Sequence, residues 1–192
     1  MLLRAILAHV DFLEGALEAL DAQLEHALAP FAPELARLET IPGVGPTTAA
    51  ALLAELGADM GVFASAKHLA SWAGVCPGNR QSGGRRLSGK TTHGNVWLRG
   101  VLGEVAWAAI RTRGTSFGAR FRRLARRRGK QKALVAVMHD VLTGVDHVLR
   151  DRVPYAELGP DYVARQDPQR AARRHVQQLE RLGYRVALSP VA

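Results

Sequence analysis

The run Arg80-Gln-Ser-Gly-Gly-Arg-Arg86 holds the residues best suited to covalent chemistry. A serine hydroxyl is a weak nucleophile until it loses its proton. If the electrophile is a phosphodiester, cations must also neutralise the phosphate and the charge that builds in the transition state. Arg80, Arg85 and Arg86 flank Ser82, and Lys90 follows shortly after. Gly83 and Gly84 leave the backbone bare for close approach to a strand. These residue types allow phosphoryl attack by Ser82, with Ser88 as the competing hydroxyl. The alternative is a flexible loop that only touches phosphate.

Other candidate chemistry is weaker. Gly84-Arg-Arg-Leu-Ser-Gly89-Lys90-Thr91 fits the nucleotide-binding pattern G-x-x-x-x-G-K-[ST]. That pattern works only between a buried strand and a helix. The residues before it, 77–83, are polar and glycine-rich, and Gly94 would fall in the first turn of the required helix. His139, Asp140, Asp146 and His147 lie close in sequence but lack a recognisable metal-ligand spacing, so surface or capping roles are expected, and no metal is assigned to this chain. Cys76 reads as a buried structural thiol.

A second motif concerns binding. Ile41-Pro-Gly43-Val44-Gly45-Pro46 joins two apolar segments, 35–41 and 47–56, in the manner of a helix-hairpin-helix. Glycines permit a tight turn, and the N–H groups of the turn and of the next helix can cradle a phosphate without reading base sequence. Gly43, Val44 and Gly45 are therefore candidate DNA contacts; a connector that only packs is the competing reading.

The charge distribution names a partner class. The 192-residue chain has a net charge of +9. Residues 1–60 carry two basic residues, Arg4 and Arg37, against nine acids, while 61–192 carry 24 basic residues against eight acids. Within 80–132, fifteen Lys and Arg stand against Glu104 alone. A one-signed block of this size implies a polyanion, with Arg120, Arg123 and Arg127 extending the track begun by the glycine loop. No apolar run approaches the ~18 residues of a membrane span, and acids interrupt the apolar N-terminus, so no signal peptide is read. The single cysteine suits a reducing compartment. Cytoplasmic residence is the expectation, with no membrane partner.

The elements that must position these groups are helical. Leu3, Ile6, Val10, Leu13, Leu17, Leu20 and Leu24 alternate spacings of three and four, a coiled-coil seam over a helix 2–28 that drifts at Ala27/Leu28. One narrow apolar stripe needs a partner helix, from this chain or from another copy. Pro30 and Pro33 are expected to end it. Further helices are predicted over 65–73, 96–112, 116–128, 131–150 and 168–182, a loop over 74–95, and a short strand over 184–188. The fold class is mostly α: a coiled-coil arm (1–33), a compact helical domain (34–153) and a tail (154–192).

Several separate stretches resemble one family, in order along essentially the whole chain. They are Ile-Pro-Gly-Val-Gly-Pro at 41–46, Phe63-Ala-Ser-Ala-Lys-His-Leu-Ala-Ser-Trp-Ala-Gly74, Cys-Pro-Gly-Asn-Arg-Gln-Ser-Gly-Gly at 76–84, Gly94-Asn95 before Trp97-Leu-Arg99, Tyr155-Ala-Glu-Leu-Gly-Pro-Asp-Tyr162 and Leu179-Glu-Arg-Leu-Gly-Tyr184. The family is the insertion-sequence-110 type of bacterial transposase, related to pilin-gene-inverting recombinases. The resemblance implies a serine in the Ser-Gly-Gly loop, here Ser82, that joins covalently to DNA. It also implies oligomers with composite sites, a bridge-type guide RNA in many members, and an N-terminal RuvC-like domain whose acidic residues hold Mg. That domain has no counterpart in these 192 residues. The expectation is therefore a truncated transposase that binds DNA, with a guide RNA as in many members, and self-associates through its first helix. A non-catalytic helix-hairpin-helix module is the alternative.

Overall fold

The computed structural model describes residues 1–78 and 80–189, and for residues 80, 86, 87, 163 and 164 it describes the backbone alone. Asn79, part of the polar loop read from the sequence, lies outside the described residues. The chain is mostly helical. Helix α1 (Leu2–Leu28) leads through a 3-10 turn at Ala29–Phe31 into α2 (Ala32–Leu38) and α3 (Pro46–Leu56). After a second 3-10 turn at Met60–Val62 comes α4 (Ala66–Trp72), then a two-stranded antiparallel hairpin of β1 (Arg80–Ser82) and β2 (Arg85–Ser88). Helices α5 (Val96–Arg111), α6 (Ser116–Arg128) and α7 (Lys130–Asp151) follow, then α8 (Tyr162–Gln166) and α9 (Pro168–Arg181).

Helix α7 is the centre. Its apolar positions recur at three and four residues, and Ala133, Val137, Val141, Leu142 and Val145 are fully enclosed. Helices α2, α4, α5 and α6 all pack against it. Leu98, Leu102 and Val105 of α5, Leu52 of α3 and Leu69 of α4 complete the same core. Side-chain caps start the surrounding helices: Ser65 Oγ accepts from His68 N, Asn95 Oδ1 from Leu98 N, and Thr115 Oγ1 from Gly118 N. Gly129, at φ 84°, ends α6 and opens α7 without an intervening loop. Asp146 is buried in this helix, where Arg150 donates to its Oδ1 at 2.8 Å and also to the Phe63 carbonyl at 3.0 Å. The carboxylate thereby ties α7 to the segment ahead of α4.

Helix α1 ends at Leu28, as expected; Pro30 and Pro33 each sit in the first turn of the next short segment, where the missing N–H is not needed. Two expectations change. The stretch 74–95 is not simply loop, since 80–88 pair as a hairpin. Residues 184–189 form no strand; they pair with neither strand of the β1–β2 hairpin, and a lone strand gains no ladder. The tail instead returns over the body at its start. Tyr155 N donates to Thr40 Oγ1 at 2.7 Å, its ring stacks on Phe117 at 5.7 Å, and Glu157 Oε1 accepts from Ser116 N. Burial pushes the Tyr155 phenol above its ordinary pKa.

Helix α1 stands outside the core packing. It buries no residue, and the seam from Leu3 to Leu24 is 41% to 69% exposed.

Gly43 shows how tightly α5 meets the segment between α2 and α3. It has φ 89°, and a Cβ there would lie 2.6 Å from both Ala109 N and Val105 O. Gly43→Ala is expected to destabilise the fold by about 2–5 kcal/mol, combining left-handed strain with backbone overlap. Gly45→Ala meets open space and should cost at most about 1 kcal/mol, chiefly in helix capping. Paired denaturant titrations measure the difference.

Candidate nucleic-acid interface

The hairpin carrying Ser82 stands on a glycine crossing. A Cβ on Gly94 would lie 2.2 Å from Ala73 O, and one on Gly74 would lie 2.7 Å from Gly94 N, so the strands entering and leaving the hairpin touch backbone to backbone. Pro77 then bridges Thr91, and Gly78 N donates to Lys90 O at 3.1 Å. The hairpin turns at Gly83 and Gly84, with φ 53° and 73°. Two successive positive φ values suit the tight turn that matches the twist of paired strands.

The register places Ser82 directly opposite Arg85, and Gln81 opposite Arg86; Arg80 pairs with Ser88 after an irregularity. Directly opposed side chains leave a strand pair on the same face, with Cβ atoms about 5 Å apart. The last pair before the turn is therefore a hydroxyl beside a guanidinium, both exposed. Lys90 is also exposed, while the Arg80 and Arg86 side chains lie outside the described set. Ser88 differs from Ser82: it is half-buried, and its Oγ accepts from Lys90 N at 3.1 Å. The nucleotide-binding pattern at 84–91 forms no cradle. Gly84 lies in the turn, Lys90 follows β2, and the next helix begins only at Val96.

The glycine motif at 43–45 is arranged differently from its expected use. Val44 is buried and its N–H donates to Ile41 O, while Gly43 faces α5. The close approach that demands glycine at 43 is thus to a neighbouring helix. Gly45 has open space beside it; its N–H donates to Thr48 Oγ1, and Pro46 and Thr47 beyond it are exposed.

On α6 the arginines are not equivalent. Arg120 forms an ion pair with Asp140, which accounts for part of its charge and for that carboxylate. Partial burial, then the guanidiniums of Arg120, Arg174 and Arg127, lower the Arg123 pKa from its ordinary value. Arg127 is exposed. Phe117 and Phe121 turn one edge of α6 into the core; Arg122, Arg126, Arg127 and Arg128 are exposed, while Arg120 and Arg123 are half-buried. Cys76 is half-buried, and burial raises its thiol pKa. Among the described residues no three His, Cys, Asp or Glu side chains group as a metal site, and no helix is long and apolar enough to cross a membrane.

Two features of the interface were not readable beforehand. Val96 and Trp97 are each 77% exposed at the start of α5. Asn95, besides capping α5, donates from Nδ2 to Glu55 Oε2 at 2.6 Å, fixing the hairpin's exit to α3. Forty residues separate the two, and no local spacing announces the pair.

Comparison with known proteins settles the class. Residues 35–122 match the model of the Transposase IS116/IS110/IS902 family. This stretch is a transposase domain of that family. The match runs from α2 to α6 and includes both the 43–45 turn and the hairpin. The chain is 34% identical over 143 residues to the pilin gene-inverting protein of Moraxella bovis, covering 69% of this chain and 44% of that protein. It is 31% identical over 122 residues to a probable family 20 transposase of Pseudomonas aeruginosa, covering 63% and 36%. Against the insertion element IS110 43.6 kDa protein of Streptomyces coelicolor it is 33% identical over 144 residues, covering 74% and 35%. The chain thus spans less than half the length of these relatives.

The Asn95–Glu55 contact gives a test of how the transposase domain holds its hairpin. Asn95→Ala should lower stability by roughly 1–3 kcal/mol, from the lost cap and the lost bond to a carboxylate. Asn95→Asp keeps the cap but sets two carboxylates together, so it should be less stable at pH 7 than at pH 4.5 relative to wild type. Thermal melts at both pH values read this sign directly.

Proposed function

We propose that this domain binds DNA and supplies Ser82 as the nucleophile for strand cleavage and rejoining. The observation that carries the reading is the exposed pairing of Ser82 with Arg85 beside the double-glycine turn. Ser82 Oγ attacks a backbone phosphorus as its proton leaves to a base. The P–O bond to the leaving sugar oxygen breaks, and that oxygen takes up a proton. The product is a phosphodiester between serine and one DNA end. Attack on this link by another strand's hydroxyl reverses the chemistry and releases the serine, so the number of phosphodiesters is conserved. Arg85 and Lys90, with Arg80 and Arg86 from the same hairpin, offset phosphate charge. Gly45 with the exposed start of α3, and Arg120, Arg123 and Arg127 on α6, hold the strand elsewhere without reading sequence. Gly43 and Val44 serve that contact by shaping the turn.

The relatives' names support DNA rearrangement as the process, and the family resemblance supports a Mg-holding acidic partner domain and a guide RNA. The test supplies such an acidic domain in trans, with donor and target DNA and guide RNA, and looks for protein that stays attached to DNA in detergent. Ser82→Ala should abolish the adduct and leave binding within about twofold. An undiminished adduct would move the role to Ser88. Binding without any wild-type adduct would favour the second reading, a non-catalytic nucleic-acid module, which the open space at Gly45 and the exposed Pro46 and Thr47 at the start of α3 support.

The exposed seam of α1 supports self-association of the domain through this helix. Its flanking acids, Glu14 and Asp21, would face their own kind in an antiparallel pair but His9 and Ala16 in a parallel one, which favours the parallel arrangement. Leu13→Asp and Leu17→Asp should reduce the sedimenting mass to that of the 20.8 kDa chain. An unchanged mass would rule out the seam as the interface.

A further inference from the structure

Helices α6 and α9 face one another across a cleft of about 740 Å³. Arg123 and Arg127, with two further arginines, line it from α6, and Arg170 and Arg174 line it from α9. The ring of Tyr162, at the start of α8, lines the same space. Two carboxylates stand near these cations. Asp167 caps α9 by accepting from Arg170 N at 2.9 Å, and Asp140 pairs with Arg120. Helix α9 buries no residue, so apolar packing does not hold its arginines opposite those of α6. Like charges on two facing helices repel unless an anion lies between them.

We propose that this cleft grips a single-stranded stretch of DNA, with phosphates between the two arginine rows and a base stacked on Tyr162. Three properties select an unpaired strand over a duplex. Cations on two walls can surround one backbone from both sides. Guanidinium planes and a tyrosine ring offer faces to bases, which a duplex keeps within its own stack. The cleft is also small, and a duplex would rest on its rim. Such strands arise when a cut duplex opens, so the proposal rests on the strand-cleaving reading and adds a site, on α8 and α9, for one of its products. These helices lie beyond the matched 35–122 stretch.

The experiment measures fluorescence anisotropy of the full chain with a labelled oligo-dT, an oligo-rU and a duplex of equal length, over a series of salt concentrations. Arg170→Gln with Arg174→Gln should weaken oligo-dT binding about tenfold or more and reduce its log–log salt slope by about 1.4, at 0.7 per phosphate on a single strand. Duplex binding should stay within about twofold. Tyr162→Ala should cost oligo-dT roughly 5- to 100-fold, the range for one stacked base, and Tyr162→Phe should restore it. Equal losses on duplex and oligo-dT would overturn the proposal in favour of a general anion track. Unchanged oligo-dT binding would overturn it outright. Preferential loss on oligo-rU would replace DNA with RNA as the occupant. Both arginines are exposed, so unaltered thermal melts verify folding. These ratios are read as reversible binding, with no covalent adduct required, so failure here is separable from failure of the nucleophile.

Discussion

The burial of α7 is the constraint from which the rest of the structure follows. Val137, Val141, Leu142 and Val145 have no exposed surface, and each such side chain is worth about 1.5–3 kcal/mol when fully buried. Four other helices satisfy their own apolar stripes against the same post. Because α6 joins α7 through a single glycine and places Phe117 and Phe121 inward, its other faces carry the arginines: Arg120 meets Asp140 of α7, and Arg126, Arg127 and Arg128 are exposed. The cationic surface is thus a geometric consequence of core packing.

The hairpin follows a different logic. It adds little to the core and is held at its root by backbone contact. Gly74 and Gly94 permit that contact because neither carries a side chain, and Asn95 then fastens the exit strand to Glu55. Rigidity at the root and exposure at the tip coexist because the paired strands extend away from the crossing. A hydroxyl proposed to meet a bulky polymer would benefit from this arrangement: the side chain projects, while its orientation is set by a short lever.

The 43–45 turn shows that one sequence pattern can meet two requirements. Glycine at 43 reads as freedom for a phosphate to approach, yet its missing side chain admits the backbone of α5. Glycine at 45 is the position that leaves open space. A spacing pattern reports that something comes close, but not from which side it comes. Similarly, Asp140 and Asp146 lie close in sequence, while each is committed to a different arginine in space.

The helices were legible because a 3.6-residue apolar period and caps such as Ser65 are local properties; α6 begins and ends where its pattern says. The charge imbalance of 80–132 and the Ser-Gly-Gly run were equally plain from residue identity. Strand pairing was not, since glycine-rich polar residues 80–88 carry no apolar alternation, and their ladder arises from a turn geometry that only two positive-φ glycines make available. Nor was it legible that α9 would set its arginines across from α6, or that Ser88 would be engaged while Ser82 stood open. Composition and period depend on neighbours along the chain, so the sequence by itself determined the helical class, the one-signed cationic block and the candidate nucleophile. Which serine is presented, what Gly43 touches and which cations face each other depend on residues far apart in sequence, and only tertiary packing decided them.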